Sequence, residues 1–144
     1  MSGQPAPGLK GQVETTVTEA DLACALGSGD VTLLGTPRMI ALAEAATVKA
    51  IAGALGEGQT SVGTRVDIRH LAASPLAAAI KASAELTAAS GKALIFRIEV
   101  RDDHGLVAEG TVERFMVDRV KLSHAQANRD PEQGGLIGPL PAQL

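Results

Sequence analysis

The sequence contains no tryptophan and no tyrosine, and only two phenylalanines, Phe96 and Phe115, among 144 residues. Without aromatic rings there is no stacking platform for bases or sugars. The core must instead be filled by small and aliphatic side chains, with backbones packed close together. A single cysteine, Cys24, excludes an internal disulfide framework and a thiolate metal site. Positive charge is also scarce: 13 Lys and Arg against 16 Asp and Glu give a net charge of −3, so there is no basic stripe for nucleic acid. No apolar run approaches the ~20 residues of a membrane span, and the opening MSGQPAPGLKGQ lacks the apolar core of a secretion signal. The expectation is a cytoplasmic protein that binds neither nucleic acid nor membrane.

What is present is a 45% apolar composition rich in alanine, in a chain of one-domain length. The strongest pattern is TPRMIALAEAATVKAIAGAL, which predicts a helix from Thr36 to Leu55. Thr36 suits the N-cap and Pro37 the first helical position, and Gly56 stops the helix. At helical spacing Ile40, Ala43, Thr47, Ile51 and Ala54 form one apolar stripe, while Arg38 and Lys49 fall opposite. Glu44 breaks this order, because it projects between Ile40 and Ile51. A carboxylate on that side must be paired, hydrogen-bonded or shifted in pKa.

The flanking segments read mostly as strands. Residues 1–12, rich in Gly, Pro and Gln, read as a flexible N-terminus, and Val13–Val17 as a first strand. Thr18 to Asp21 resembles a capping signal that opens a short helix, Ala20–Leu26. From Ser61 to His70 the period is two, with Val62, Thr64, Val66, Ile68 and His70 on one face. Leu76–Ala89 has helix-forming alanines, but its charges fall on one parity, and it is assigned as strand. Ser90–Lys92 is a hairpin turn, Ala93–Arg101 a clear strand, and Asp102–Gly105 a second turn. Leu106–Val120 is the last strand, bulged or interrupted near Gly110. Residues 123–144 lack periodicity and read as a poorly ordered tail, which leaves 13–122 as the domain. The order is strand, short helix, long helix and a four-strand antiparallel meander. This is an α+β design in which a curved antiparallel sheet wraps a long central helix, the hotdog fold.

Three residues carry the chemistry of interest. Taken singly, Thr36 is a cap, Glu44 an edge carboxylate and His70 a strand-end histidine. Together, hydroxyl, carboxylate and imidazole form the set used in nucleophilic or general-base hydrolysis. A neighbouring carboxylate would fix the His70 tautomer and raise its pKa. His104 falls in a turn and His124 in the tail, and their dispersal argues against a metal site. Neither a metal nor a cofactor is expected.

The spacing of these residues resembles the fluoroacetyl-CoA thioesterase-like branch of the hotdog superfamily, over about Val31 to Val117. Thr36 opens the helix, Glu44 follows eight residues on, Gly63 lies in SVGT, and His70 comes seven later in IRHLAASP. Glu113-Arg114 in GTVERFMV matches the family's last strand. The resemblance implies Thr36, Glu44 and His70 as the catalytic trio and Gly63 as an amide donor to the thioester carbonyl. It also implies that Arg114 positions the site or the CoA end, and that a homodimer carries the site at its interface. The fluoroacetyl-specific members have an aromatic lid ahead of the Thr, whereas Gly27–Gly35 (GSGDVTLLG) has no aromatic residue. The implied activity is therefore a more general hydrolysis of small or medium acyl-CoA, with CoA entering only as part of the substrate. Two rivals remain at this point: a hotdog acyl-CoA hydratase or dehydratase, and a non-catalytic acyl-CoA-binding module.

Overall fold

Alanine, leucine and methionine favour a helix over the central segment, and α2 runs from Thr36 to Ile51. In this computed structural model, which describes residues 4–127, the N-cap is Gly35 rather than Thr36, and Pro37 sits in the first turn. The helix ends four residues before the expected Leu55, where Gly53 follows the C-cap Ala52 and propagation becomes costly. Its buried face is also wider than the expected stripe. Met39, Leu42, Ala46 and Ala50 join Ala43, Thr47 and Ile51 in the interior, because the sheet curls around both sides.

The sheet has five antiparallel strands: β1 (Lys10–Thr16), β2 (Gln59–His70), β3 (Ala79–Ser90), β4 (Ala93–Asp102) and β5 (Gly105–Asp118). They lie in the order β1-β3-β4-β5-β2, so only β3-β4-β5 is a meander. The expected four-strand meander fails at the 71–78 connection. That segment is too long for a hairpin, and it leads from β2 at one edge to β3 on the far side, where β3 takes β1 as its neighbour. Phe96, Ile98, Val100, Val107 and Val112 face the helix from the middle strands and are fully buried. The two-residue loop Gly91-Lys92 joins β3 to β4, with Gly91 at φ 60°.

Residues 10–12, expected to be flexible, begin β1 and pair with Glu85, Ala84 and Ser83. Gly11 in particular is a packing residue. A Cβ there would collide with the backbone of Ala46 and Ala50, so strand and helix touch main chain to main chain. Gly110 itself stays paired with Ile68 and Ile98, and the bulge expected near it lies at Val107, where the pairing of β5 with β4 slips. A side chain at Gly110 would strike the backbone of Asp67 and Ile68.

The bulge that bears on function lies in β2, where the register slips between Gly63 and Arg65. Before it, Ser61 and Gly63 face the helix; after it, Ile68 and His70 do. The single parity expected for Val62 to His70 is therefore divided at Thr64.

The N-terminal helical segment is a 3-10 turn, Glu19–Asp21, followed by α1 (Ala23–Leu26). Asp21 accepts from the amide and hydroxyl of Thr18, at 2.8 and 3.0 Å, and pairs with Arg38 at 2.9 Å. Arg38, opposite the apolar stripe, thus ties the first turn of α2 to this cap. A last helix, α3, covers Arg119–Ala127, so the first part of the expected tail is helical and residues 128–144 lie outside the described residues.

Candidate active site

Thr36 stands at the start of α2 and His70 at the end of β2. The Thr36 Oγ1 to His70 Nδ1 distance is 2.8 Å. Because Gly35 caps the helix, the Thr36 hydroxyl is free for this contact. His70 is half-buried, and its Nε2 is buried without a partner. Desolvation holds the imidazole below its usual 6.5, against a weaker upward pull from the Ala72 backbone. The expected carboxylate neighbour, which would have raised that pKa, is not in contact with the ring: the His70 side chain bonds to Thr36.

Glu44 is held elsewhere. Its Oε2 lies 3.3 Å from Nη1 of Arg114, whose side chain is only 8% exposed against 37% for Glu44. The rest of the guanidinium is also engaged: Nε donates to Ser61 Oγ at 2.8 Å and Nη2 to the Ser61 carbonyl at 3.0 Å. Nη1 also lies 3.5 Å from Thr47 Oγ1, whose hydroxyl donates to the Glu44 carbonyl at 2.6 Å. Burial pulls Arg114 below the usual guanidinium range, and the Glu44 carboxylate opposes that pull. Gly63 lies directly against this carboxylate, since a Cβ there would occupy the place of Glu44 Oε2.

Within one chain the residues singled out in the sequence thus form two groups. Thr36 meets His70, and Glu44 meets Gly63 and Arg114. Eight residues of helix, about 12 Å of rise, separate Thr36 from Glu44, and the groups do not bond to one another. Ser61 and Thr47 were not singled out in the sequence. Thr47 looks there like filler on the apolar stripe, and Ser61 like a polar residue at a strand start. The signal for both is the buried Arg114, whose donors need acceptors. Among the described residues, no three His, Cys, Asp or Glu are grouped to hold a metal ion, and no helix is long and apolar enough to cross a membrane.

A sequence model of the fluoroacetyl-CoA-specific thioesterase family matches residues 17–120, which include all five of these positions. The chain belongs to that family. The fluoroacetyl-CoA thioesterase of Streptantibioticus cattleyicolor is 30% identical over 99 residues, covering 69% of this chain and 71% of that one. The solved fluoroacetyl-CoA thioesterase FlK superposes with a TM-score of 0.81 at 25% identity, over 89% of this chain and 99% of its own. A thioesterase superfamily member from Thermus thermophilus gives 0.81 at 25% identity, over 87% and 93%. The fold is the hotdog, and the chain is a thioester hydrolase by family. Its one long helix and five-stranded antiparallel sheet match these thioesterase structures.

Proposed function

We propose that this chain hydrolyses small or medium acyl-CoA thioesters, with Thr36, Glu44 and His70 as catalytic groups and no cofactor. The observation that carries this reading is the 2.8 Å contact between the Thr36 hydroxyl and His70 Nδ1. A hydroxyl is a weak nucleophile until a base takes its proton, and an imidazole held below 6.5 is neutral and ready to do so at pH 7. Thr36 Oγ attacks the carbonyl carbon while its proton passes to Nδ1. The C–S bond then breaks, and the CoA thiolate takes the proton from His70. Water attacks the resulting acyl-Thr36 ester, its proton passes through His70 back to Thr36, and the carboxylic acid leaves. Glu44 orients that water, and the Gly63 amide donates to the developing oxyanion. Arg114, 8% exposed and 3.3 Å from Glu44, has in this reading the part of positioning the site by holding that carboxylate.

About 12 Å of helix rise is too far for one carbonyl to meet both groups of the same chain, so in this reading Thr36 and His70 of one chain face Glu44 and Gly63 of a second copy. β2 lies at a sheet edge, and we read that open edge as the seam of a homodimer, with the site beside it. Composition supports a cytoplasmic setting.

The test is thioester cleavage across a panel of saturated acyl-CoAs of increasing length. Loss of thioester absorbance suits this chain, because exposed Cys24 would itself react with a thiol reagent. Cleavage of saturated acyl-CoA is expected, with His70→Ala and Glu44→Gln strongly impaired. Binding without cleavage, or water addition to enoyl-CoA alone, would overturn the reading in favour of the binding module or the hydratase.

A further inference from the structure

We infer that Ser61 is a positioning residue for the reaction, acting on Glu44 through Arg114; the inference rests on Glu44 having the role proposed above. Arg114 is a buried cation, and the direction of its fork decides where the Glu44 carboxylate sits. Ser61 takes two of its donors on the side away from Glu44, through Oγ at 2.8 Å and the carbonyl at 3.0 Å. Thr47 takes a third at 3.5 Å and is itself bonded to the backbone of α2. Only Nη1 is then directed at Glu44 Oε2, at 3.3 Å. The carboxylate is anchored at one oxygen, against Gly63, and more than a third of the side chain stays exposed to meet water.

The bulge at Thr64 makes this arrangement possible, because it turns Ser61 as well as Gly63 toward the helix. Without the Ser61 hydroxyl, Nε of a buried guanidinium has no acceptor. The plane then rotates to offer Glu44 a two-pronged contact, the geometry guanidinium and carboxylate prefer. Such a contact draws the carboxylate off Gly63 and engages the oxygen that should hold water.

The experiment compares Ser61→Ala, Ser61→Cys and Ser61→Thr with the unmodified protein and with Glu44→Gln, each in full-length protein assayed for kcat, KM and thermal midpoint. Displacing a reacting group by about 1 Å costs up to roughly a hundredfold, so Ser61→Ala should lower kcat on the order of tenfold or more with little change in KM. Ser61→Cys keeps the volume, offers only a weak acceptor, and should behave like Ser61→Ala. Ser61→Thr keeps the hydroxyl and should restore most of kcat. If Ser61→Ala does not fold, the Cys and Thr pair carries the comparison. Wild-type kcat in Ser61→Cys alongside an impaired Glu44→Gln overturns the inference and leaves the Glu44 role standing. Wild-type kcat in Glu44→Gln removes that role and the inference with it.

Discussion

Gly63 and His70 face the same helix although seven residues of one strand separate them. In a regular strand an odd separation puts two residues on opposite faces, and the bulge at Thr64 supplies the extra residue that restores a common face. Gly63 is a glycine because Glu44 Oε2 occupies the place of its missing side chain. Gly63→Ala is therefore expected to displace the carboxylate and lower kcat by about tenfold to a hundredfold. Since Glu44 has a flexible tip, circular dichroism should remain that of the folded protein.

Thr36→Ala separates chemistry from capping. Because Gly35 is the N-cap, the change removes the Thr36–His70 contact but no cap, and stability should fall by about 1 kcal/mol or less. Turnover should fall at least about a hundredfold, while Thr36→Ser, which keeps the hydroxyl, should retain most of it. Thermal denaturation and thioester cleavage measured on the same samples check both halves.

The pH dependence follows from His70. Its imidazole is held below 6.5 by desolvation, so the folded protein prefers the neutral ring. As pH falls past 6.5 the unfolded chain takes up that proton first, so stability is lost until the folded pKa is reached. The acid limb of kcat/KM should likewise lie below 6.5. Ring titration by NMR, with His70→Asn as the reference, identifies the group; a limb above 6.5 would contradict the burial argument.

Glu44→Gln leaves the buried Arg114 guanidinium without its counter-charge. Breaking a fully buried pair costs about 3–5 kcal/mol, but Glu44 is over a third exposed and solvent screens it, so about 1–2 kcal/mol is expected. Denaturant unfolding measures it.

Gly11→Ala tests the contact between β1 and α2. A methyl group there must push against the backbone of Ala46 and Ala50, which has no flexible end to move. Overpacking of this kind costs about 1–3 kcal/mol, so the thermal midpoint should fall even though Gly11 is remote from Thr36.

Much of this arrangement is legible in the sequence, and the exceptions share causes. Local periodicity identified the long helix and the four strands after it, because each has one buried face. Strand order was beyond it: the pairing of β3 with β1 is a long-range choice that alternation does not encode. Gly11 and Gly110 look like breaks in a sequence, but both are close-packing positions. Glu44 stood out as a carboxylate on an apolar face, and the structure explains it by a buried cation rather than by His70. Thr36 and His70 were each identified, and their contact rests on a cap moved by one residue to Gly35.

Close backbone contact has a further consequence for how such an enzyme diversifies. At one end, Gly11 lets β1 lie directly on α2 at Ala46 and Ala50. At the other, a side chain at Gly35 would meet Leu26 Cδ1 at 2.8 Å and Ala23 Cα at 3.1 Å. The helix is thus held close to β1 at one end and to α1 at the other. Sequence change around the helix is thereby confined to side chains, since the segment leading into it is tied down as well: Leu34 is buried and its amide donates to the Ser74 carbonyl.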